Sequence, residues 1–179
     1  MLQISPLSLE GPKLIKISPF FDERGFFQEW YRKPLYQKWG VASDFVQDNH
    51  SYSKKNVLRG MHFQRKPGQA KLVTVLRGSI LDVFVDIRPH SPTFGKWESI
   101  VLDAAQHQQL FIPIGFAHGF LVLSEEAHVF YKISSVYDPA EEKTFRFDDP
   151  TIGIDWPVKN PLISPRDLEA PYFSEVVTC

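Results

Sequence analysis

The sequence predicts an all-β chain folded as a jelly-roll β-sandwich, with short helices and an irregular, proline-rich C-terminal segment. Three observations carry that prediction. Short apolar or alternating segments recur between Gly, Pro, Asn and Asp punctuation along most of the 179 residues. Helical periodicity is scarce. From Asp148 onward the chain carries Pro150, Pro157, Pro161, Pro165 and Pro171, too dense for regular strands or long helices. That segment is expected to wrap the sandwich and end in short turns. The length suits a single domain, 1–179, with a jelly-roll core over about 13–147 and the wrapping tail over about 148–179.

Strands are expected at 13–19, 25–31, 45–52, 57–64, 71–76, 80–88, 97–102, 109–112, 117–123, 127–137 and 144–147. A short helix is expected at 34–40, begun by Pro34 near its first turn and ended by Gly40. The segment 80–88 alternates most clearly. Leu81, Val83, Val85 and Ile87 share one face, and Ile80, Asp82, Phe84 and Asp86 share the other. Two aspartates on a face with Ile and Phe point either to a partly enclosed polar pocket or to solvation at a strand rim.

Composition narrows the function classes. No segment approaches the roughly 18 consecutive apolar residues of a membrane helix, so no membrane role is expected. The opening Met1-Leu2-Gln3-Ile4-Ser5 lacks a basic region followed by an apolar stretch, so no secretory signal is expected. Cys179 is the only cysteine, which excludes an internal disulfide framework and thiolate metal sites and fits a reducing cytoplasm. A formal net charge of −1 gives no general attraction to nucleic acid, so an anionic ligand must be met by local arginines and lysines.

The most informative stretch is Leu58-Arg59-Gly60-Met61-His62-Phe63-Gln64, where a histidine, an arginine and a glycine interrupt a buried-strand pattern. A histidine on a strand is most often a hydrogen-bonded core or rim residue. It is also the side chain best suited to take a proton near neutral pH. Strict alternation puts Arg59 and His62 on opposite faces, so both enter one pocket only if the strand bulges or bends at Gly60.

Four further clusters are polar where strands are expected. Asp22-Glu23-Arg24-Gly25 turns into an aromatic strand ending at Glu29 and reads equally well as a surface hairpin. Gln47 and Asn49 share a strand face, as a polar ligand or an exposed edge would both require. Pro113-Ile114-Gly115 delivers His118 to the next strand with Pro-x-Gly-x-x-His spacing, similar to the second half of the cupin motif. The first half of that motif supplies a His-x-His pair, but here it reads His62-Phe63-Gln64, so a metal site loses a ligand and none is expected. Tyr131 shares a face with Val129, Ile133 and Tyr137, suiting either core packing or a buried phenolic acid. Lys71 is either a snorkelling rim lysine or a charge aimed inward. Asp167 reads as a turn residue.

Together these segments resemble the dTDP-4-dehydrorhamnose 3,5-epimerase family of nucleotide-sugar epimerases. The resemblance rests on the residues at 22–27, 47–49, 58–64, 71–73, 86–88 and 91–97. It continues through 111–120, 131–132, 148–150, 152–157, Ser164 and Asp167. It implies a cupin-type jelly roll that needs no cofactor or metal, as a homodimer with sites shared across subunits. It further implies a dTDP-4-keto-6-deoxyhexose substrate, dTDP-4-dehydro-6-deoxy-D-glucose, epimerised at carbons 3 and 5. His62 is then the base, Asp167 its orienting partner, Lys71 the stabiliser of the enolate oxygen and Tyr131 the acid on the opposite face. Arg59 and His118 are implied to contact the sugar or its neighbouring phosphate. Arg24, Glu29, Gln47, Asn49, Tyr137, Glu142 and Arg166 are implied to hold the diphosphate and thymidine. One departure from the pattern is Thr74, where many members carry arginine or another long residue. The alternatives are a 3-only or 5-only epimerase or ketoisomerase on the same scaffold, and a non-catalytic sugar- or metal-binding cupin.

Overall fold

The computed structural model describes residues 2–41 and 44–177; Cys179 lies outside them. Strands β1 (Leu2–Pro6), β2 (Lys13–Ile17), β10 (Gln108–Ile112), β7 (Lys71–Arg77), β12 (Glu126–Ile133) and β5 (Gln47–Lys54) lie side by side in that order as one antiparallel sheet. The facing sheet runs β13 (Glu142–Thr144), β6 (Leu58–Gln64), β11 (Phe116–Val122), β8 (Ser79–Asp86) and β9 (Trp97–Asp103). Strands β3 (Phe20–Asp22) and β4 (Gly25–Phe27) form a separate hairpin, and helix α1 (Lys33–Lys38) follows it. Spatial neighbours are distant in sequence, as in the β2–β10–β7 run, and the result is a cupin-type jelly roll.

Apolar residues fill three layers. Val73, Val75, Ile80, Phe84, Leu110, Phe120 and Val129 pack between the two sheets. Met61, Phe63, Val83 and Val85 turn the other way and pack under Phe145, Ile152 and Phe173 of the C-terminal tail. The tail therefore wraps the second sheet, and both faces of β8 are covered. Ile15, Ile17, Leu72 and Phe111 cover the outer face of the first sheet together with Tyr36 of α1. Each fully buried side chain of this size contributes roughly 1.5–3 kcal/mol.

Several elements differ from expectation for local reasons. The expected strand 25–31 stops at Phe27, and 127–137 stops at Ile133. Ser134 Oγ accepts a hydrogen bond from Ala70 N at 2.8 Å, and Asp138 O accepts from Glu142 N, so the chain turns. Tyr137 consequently leaves the Tyr131 face and lies in a half-exposed loop. The expected 144–147 strand forms earlier, at Glu142–Thr144. Strand β1 was not expected; Pro6 disfavours an interior strand but suits this sheet-edge position. In the tail, α2 (Pro165–Leu168) and α3 (Phe173–Val176) are short helices, the first capped by Ser164 Oγ accepting from Asp167 N.

Two sequence features are clarified. Asp86 does not line a pocket: its carboxylate is buried and accepts from Arg88 Nη2, Ser91 Oγ and Thr93 Oγ1, fixing the loop before β9. Thr74 accepts from Gln109 Nε2 at 2.8 Å on the side of β7 opposite Lys71 and Val73. It is buried under the α1 layer, so its identity does not shape the inner cavity directly.

The bend in β6 positions the site. On the neighbouring strand β11, His118 pairs with His62 and Phe120 with Arg59, so β6 carries one extra residue between the pairs. That bulge brings Arg59 and His62 onto one cavity, as the bend at Gly60 requires. Gly60 adopts φ +136°, and a Cβ there would sit 2.5 Å from Gly119 Cα. Only glycine fits both the conformation and the close strand approach.

Candidate active site

The bulge turns the His62 imidazole into a cavity of about 200 Å³ between the sheets, lined also by Ser51, Arg59, Lys71, His118, Tyr131 and Glu142. His62 Nε2 lies 2.7 Å from Asp167 Oδ1. Burial alone would raise the Asp167 pKa. Hydrogen bonds from His62, the Gly60 amide and Ser164 outweigh burial and hold the carboxyl below its ordinary value. An ionised carboxylate only accepts, so Nε2 carries the proton and Nδ1 is the basic atom. The His62 side chain is 27% exposed against 4% for Asp167, so the imidazole is reachable while its carboxylate partner is not. Helix α2 supplies that partner from far along the chain, where Ser164 and Pro165 set its first turn.

Lys71 stands at the start of β7 with its ammonium 3.4 Å from the His62 carbonyl oxygen. Burial pushes its pKa down to about 8, partly opposed by Glu142 and Asp82. A lysine in this position is a positive charge at neutral pH with little hydration to screen it. Tyr131 faces the same cavity from β12, paired in register with Asn49 of β5. Burial raises its pKa, so the phenol holds its proton.

His118 carries a second imidazole–carboxylate pair. Its Nε2 lies 2.9 Å from Asp82 Oδ2, and both groups are buried. Burial pushes the His118 pKa down, against the opposing pull of Asp82, so the ring is neutral. With Nε2–H committed to the carboxylate, Nδ1 offers an acceptor suited to a sugar hydroxyl, not a donor for an anion. Along the sequence Asp82 shows only as one of two aspartates on a strand face. Its partner could not be inferred without the β8–β11 register, in which Phe84 stands opposite His118.

The remaining expected residues divide into two groups. Arg59 is fixed by Ser53 Oγ at 3.0 Å and the Tyr52 carbonyl at 3.2 Å. Gln47 donates to Asn49 at 2.9 Å and accepts from the Tyr137 amide at 3.0 Å. Glu142 accepts from Tyr137 Oη at 2.9 Å and pairs with Arg166 at 2.6 Å, forming the rim of the site. An outer cleft of about 450 Å³ shares Arg59 and His62 with the inner cavity and extends past Ser164 and Arg166. Arg24 and Glu29 line neither space. Arg24 pairs with Asp22 on the exposed hairpin, and Glu29 pairs with Arg32 beside α1. Among the described residues, no group of three His, Cys, Asp or Glu side chains is placed to hold a metal ion. None of the described helices is long and apolar enough to cross a membrane.

A jelly roll that closes on a carboxylate-oriented histidine, a buried ammonium and a buried phenol defines a cupin-type protein equipped for acid–base chemistry. The chain belongs to the dTDP-4-dehydrorhamnose 3,5-epimerase family, whose sequence model matches residues 6–175. A dTDP-4-dehydrorhamnose 3,5-epimerase of Shigella flexneri is 46% identical over 171 residues, covering 93% of this chain and 94% of that protein. One from Neisseria gonorrhoeae is 47% identical over 168 residues; the match covers 93% of this chain but only about half of that relative, 51%. Among solved structures, dTDP-6-deoxy-D-glucose-3,5-epimerase from Legionella pneumophila, in complex with dTDP-4-keto-L-rhamnose, superposes with a TM-score of 0.93 at 42% identity. That match covers 96% of this chain and 93% of the other.

Proposed function

We propose that this protein inverts carbons 3 and 5 of dTDP-4-dehydro-6-deoxy-D-glucose to give dTDP-4-dehydro-L-rhamnose, without a cofactor. The observation that carries this is the His62–Asp167 pair at 2.7 Å, opening onto the same cavity as Lys71 and Tyr131. Hydrogens on carbons 3 and 5 flank the 4-ketone and are acidic for that reason. His62 Nδ1 takes the proton while the C–H electron pair moves into an enolate whose negative oxygen faces the Lys71 ammonium. Asp167 stabilises the imidazolium that forms. Tyr131 then gives its phenolic proton to the opposite face of the same carbon, which inverts the centre. The imidazolium and the tyrosinate must exchange one proton, through solvent or directly, before the second carbon reacts.

Arg59 and His118 contact the sugar and its neighbouring phosphate, with His118 accepting from a hydroxyl. Gln47, Asn49, Tyr137, Glu142 and Arg166 hold the diphosphate and thymidine, joined by Arg24 and Glu29 from a second copy in a homodimer. Support for the sharing comes from the β3–β4 hairpin, where Phe20, Phe21, Phe26 and Phe27 are all more than half exposed. An arginine suits a diphosphate because its planar fork gives paired charge-assisted hydrogen bonds. A chain that sediments as a fully active monomer contradicts this sharing. A cytoplasmic location accords with the single cysteine.

The test is turnover of dTDP-4-dehydro-6-deoxy-D-glucose in deuterated water, followed by NMR. Deuterium is expected at carbons 3 and 5 of a product inverted at both. Exchange and inversion at one carbon alone would instead favour a single-centre epimerase, and no exchange at either contradicts the proposal.

The buried lysine adds a pH dependence. Lys71 is charged below about pH 8 and loses its charge as pH rises through that value. The value of kcat/KM is therefore expected to fall above about pH 8, and Lys71→Arg, which stays charged, is expected to remove that limb even if it lowers the plateau. A wild-type profile that stays flat to about pH 9.5 contradicts a charge role for Lys71.

A further inference from the structure

Buried polar atoms in folded proteins almost always find a hydrogen-bond partner. Among the described residues, four buried side-chain atoms do not: Gln28 Nε2, Ser51 Oγ, Asp82 Oδ1 and Thr144 Oγ1. Three of these adjoin the candidate active site. Asp82 already serves His118 through its other oxygen. Thr144 stands opposite His62 in the β13–β6 pairing. Ser51 lines the inner cavity itself, with its hydroxyl unspent.

The register places Ser51 between two groups with known neighbours. Along the inward face of β5, Asn49 lies opposite Tyr131, Ser51 opposite Val129, and Ser53 opposite Ala127. Ser53 fixes the Arg59 guanidinium at 3.0 Å. Ser51 thus sits one step along the strand from the level of the phenolic acid and one step from the anchor of the arginine. If Tyr131 addresses carbon 3 and Arg59 addresses the phosphate on carbon 1, the sugar group facing Ser51 is the hydroxyl on carbon 2. A serine hydroxyl both donates and accepts, and one staggered χ1 rotation redirects it from the wall into the cavity.

We infer that Ser51 is a specificity-determining residue that hydrogen-bonds the carbon-2 hydroxyl of the nucleotide sugar. The inference rests on the proposed epimerase reaction and adds which ring substituent the protein reads. It separates substrates bearing that hydroxyl from their 2-deoxy counterparts, because a polar group left unmatched in a closed site is costly to binding.

The test compares wild type and Ser51→Ala on dTDP-4-dehydro-6-deoxy-D-glucose and on its 2-deoxy analogue. Wild type is expected to favour the 2-hydroxy substrate by about tenfold in kcat/KM, the value of one good hydrogen bond. Ser51→Ala is expected to lose about tenfold on that substrate and to change less than about twofold on the analogue, which erases the preference. Equal losses on both substrates, or no loss on either, overturn the role of Ser51 while leaving the epimerase reaction standing. Failure of wild type to turn over either substrate overturns the reaction, and the inference with it.

Discussion

Replacing His62 with alanine is expected to lower kcat on dTDP-4-dehydro-6-deoxy-D-glucose by about 10³- to 10⁴-fold, near the upper end for loss of a positioned general base. Solvent deuterium should no longer enter either carbon at a measurable rate. Both effects follow from one atom, because Nδ1 is the free basic nitrogen once Nε2 is committed to Asp167. The fold should survive the change. Asp167 keeps the Gly60 amide at 3.3 Å, and its own amide keeps Ser164 Oγ at 3.1 Å as the cap of α2. Asp167→Asn keeps an acceptor for Nε2 but loses the charge opposite the imidazolium, so a smaller loss of about 10²-fold is expected. NMR exchange and a thermal melt on each variant check these outcomes together. A His62→Ala protein that still exchanges both hydrogens removes His62 from the role of base.

Tyr131→Phe should separate two events that His62→Ala abolishes together. In the proposed reaction, proton removal needs the imidazole and the Lys71 ammonium, both intact in this variant, whereas inversion needs a proton delivered from the other side of the ring. Inversion is therefore expected to fall by about 10²- to 10³-fold, while deuterium wash-in with retained configuration falls much less. The burial that raises the Tyr131 pKa makes the phenol a proton donor across the working pH range. Equal losses of exchange and inversion contradict its assignment as the acid.

Much of this site is legible along the chain, and the reasons are physical. Gly60 inside a strand pattern marks a bulge, because alternation alone cannot put Arg59 and His62 on one face, and the β6–β11 register contains that bulge. Lys71 and Tyr131 could each be read as an inward polar group on a strand with the right parity. The strands themselves follow from alternation between turn residues. Contacts made by the tail are less legible. Asp167 reaches His62 across 105 positions, and nothing local to Ser164–Leu168 reveals that its carboxylate is aimed at an imidazole. Asp82 and Asp86 look alike on one strand face, yet one serves His118 in the site and the other fixes a loop through Arg88, Ser91 and Thr93. Their difference lies in what surrounds each side chain, which alternation does not encode. Tyr137 leaves the Tyr131 face because the chain turns after Ile133, with Ser134 Oγ accepting from the distant Ala70 amide and Asp138 Oδ1 accepting from the Ala140 amide. Along the sequence Ser51 is indistinguishable from any serine on a polar strand, and only the fold leaves its hydroxyl buried and unpaired.

In the proposed reaction, base and acid act on opposite faces of one sugar ring. A crystal structure of this protein with a dTDP-6-deoxy sugar carrying a hydroxyl in place of the 4-ketone tests it most directly, because that ligand binds without reacting. The ring is expected between His62 Nδ1 on one side and the Tyr131 hydroxyl on the other, with the 4-oxygen toward the Lys71 ammonium. A ring with His62 and Tyr131 on the same face, or with its 4-oxygen turned away from Lys71, contradicts it.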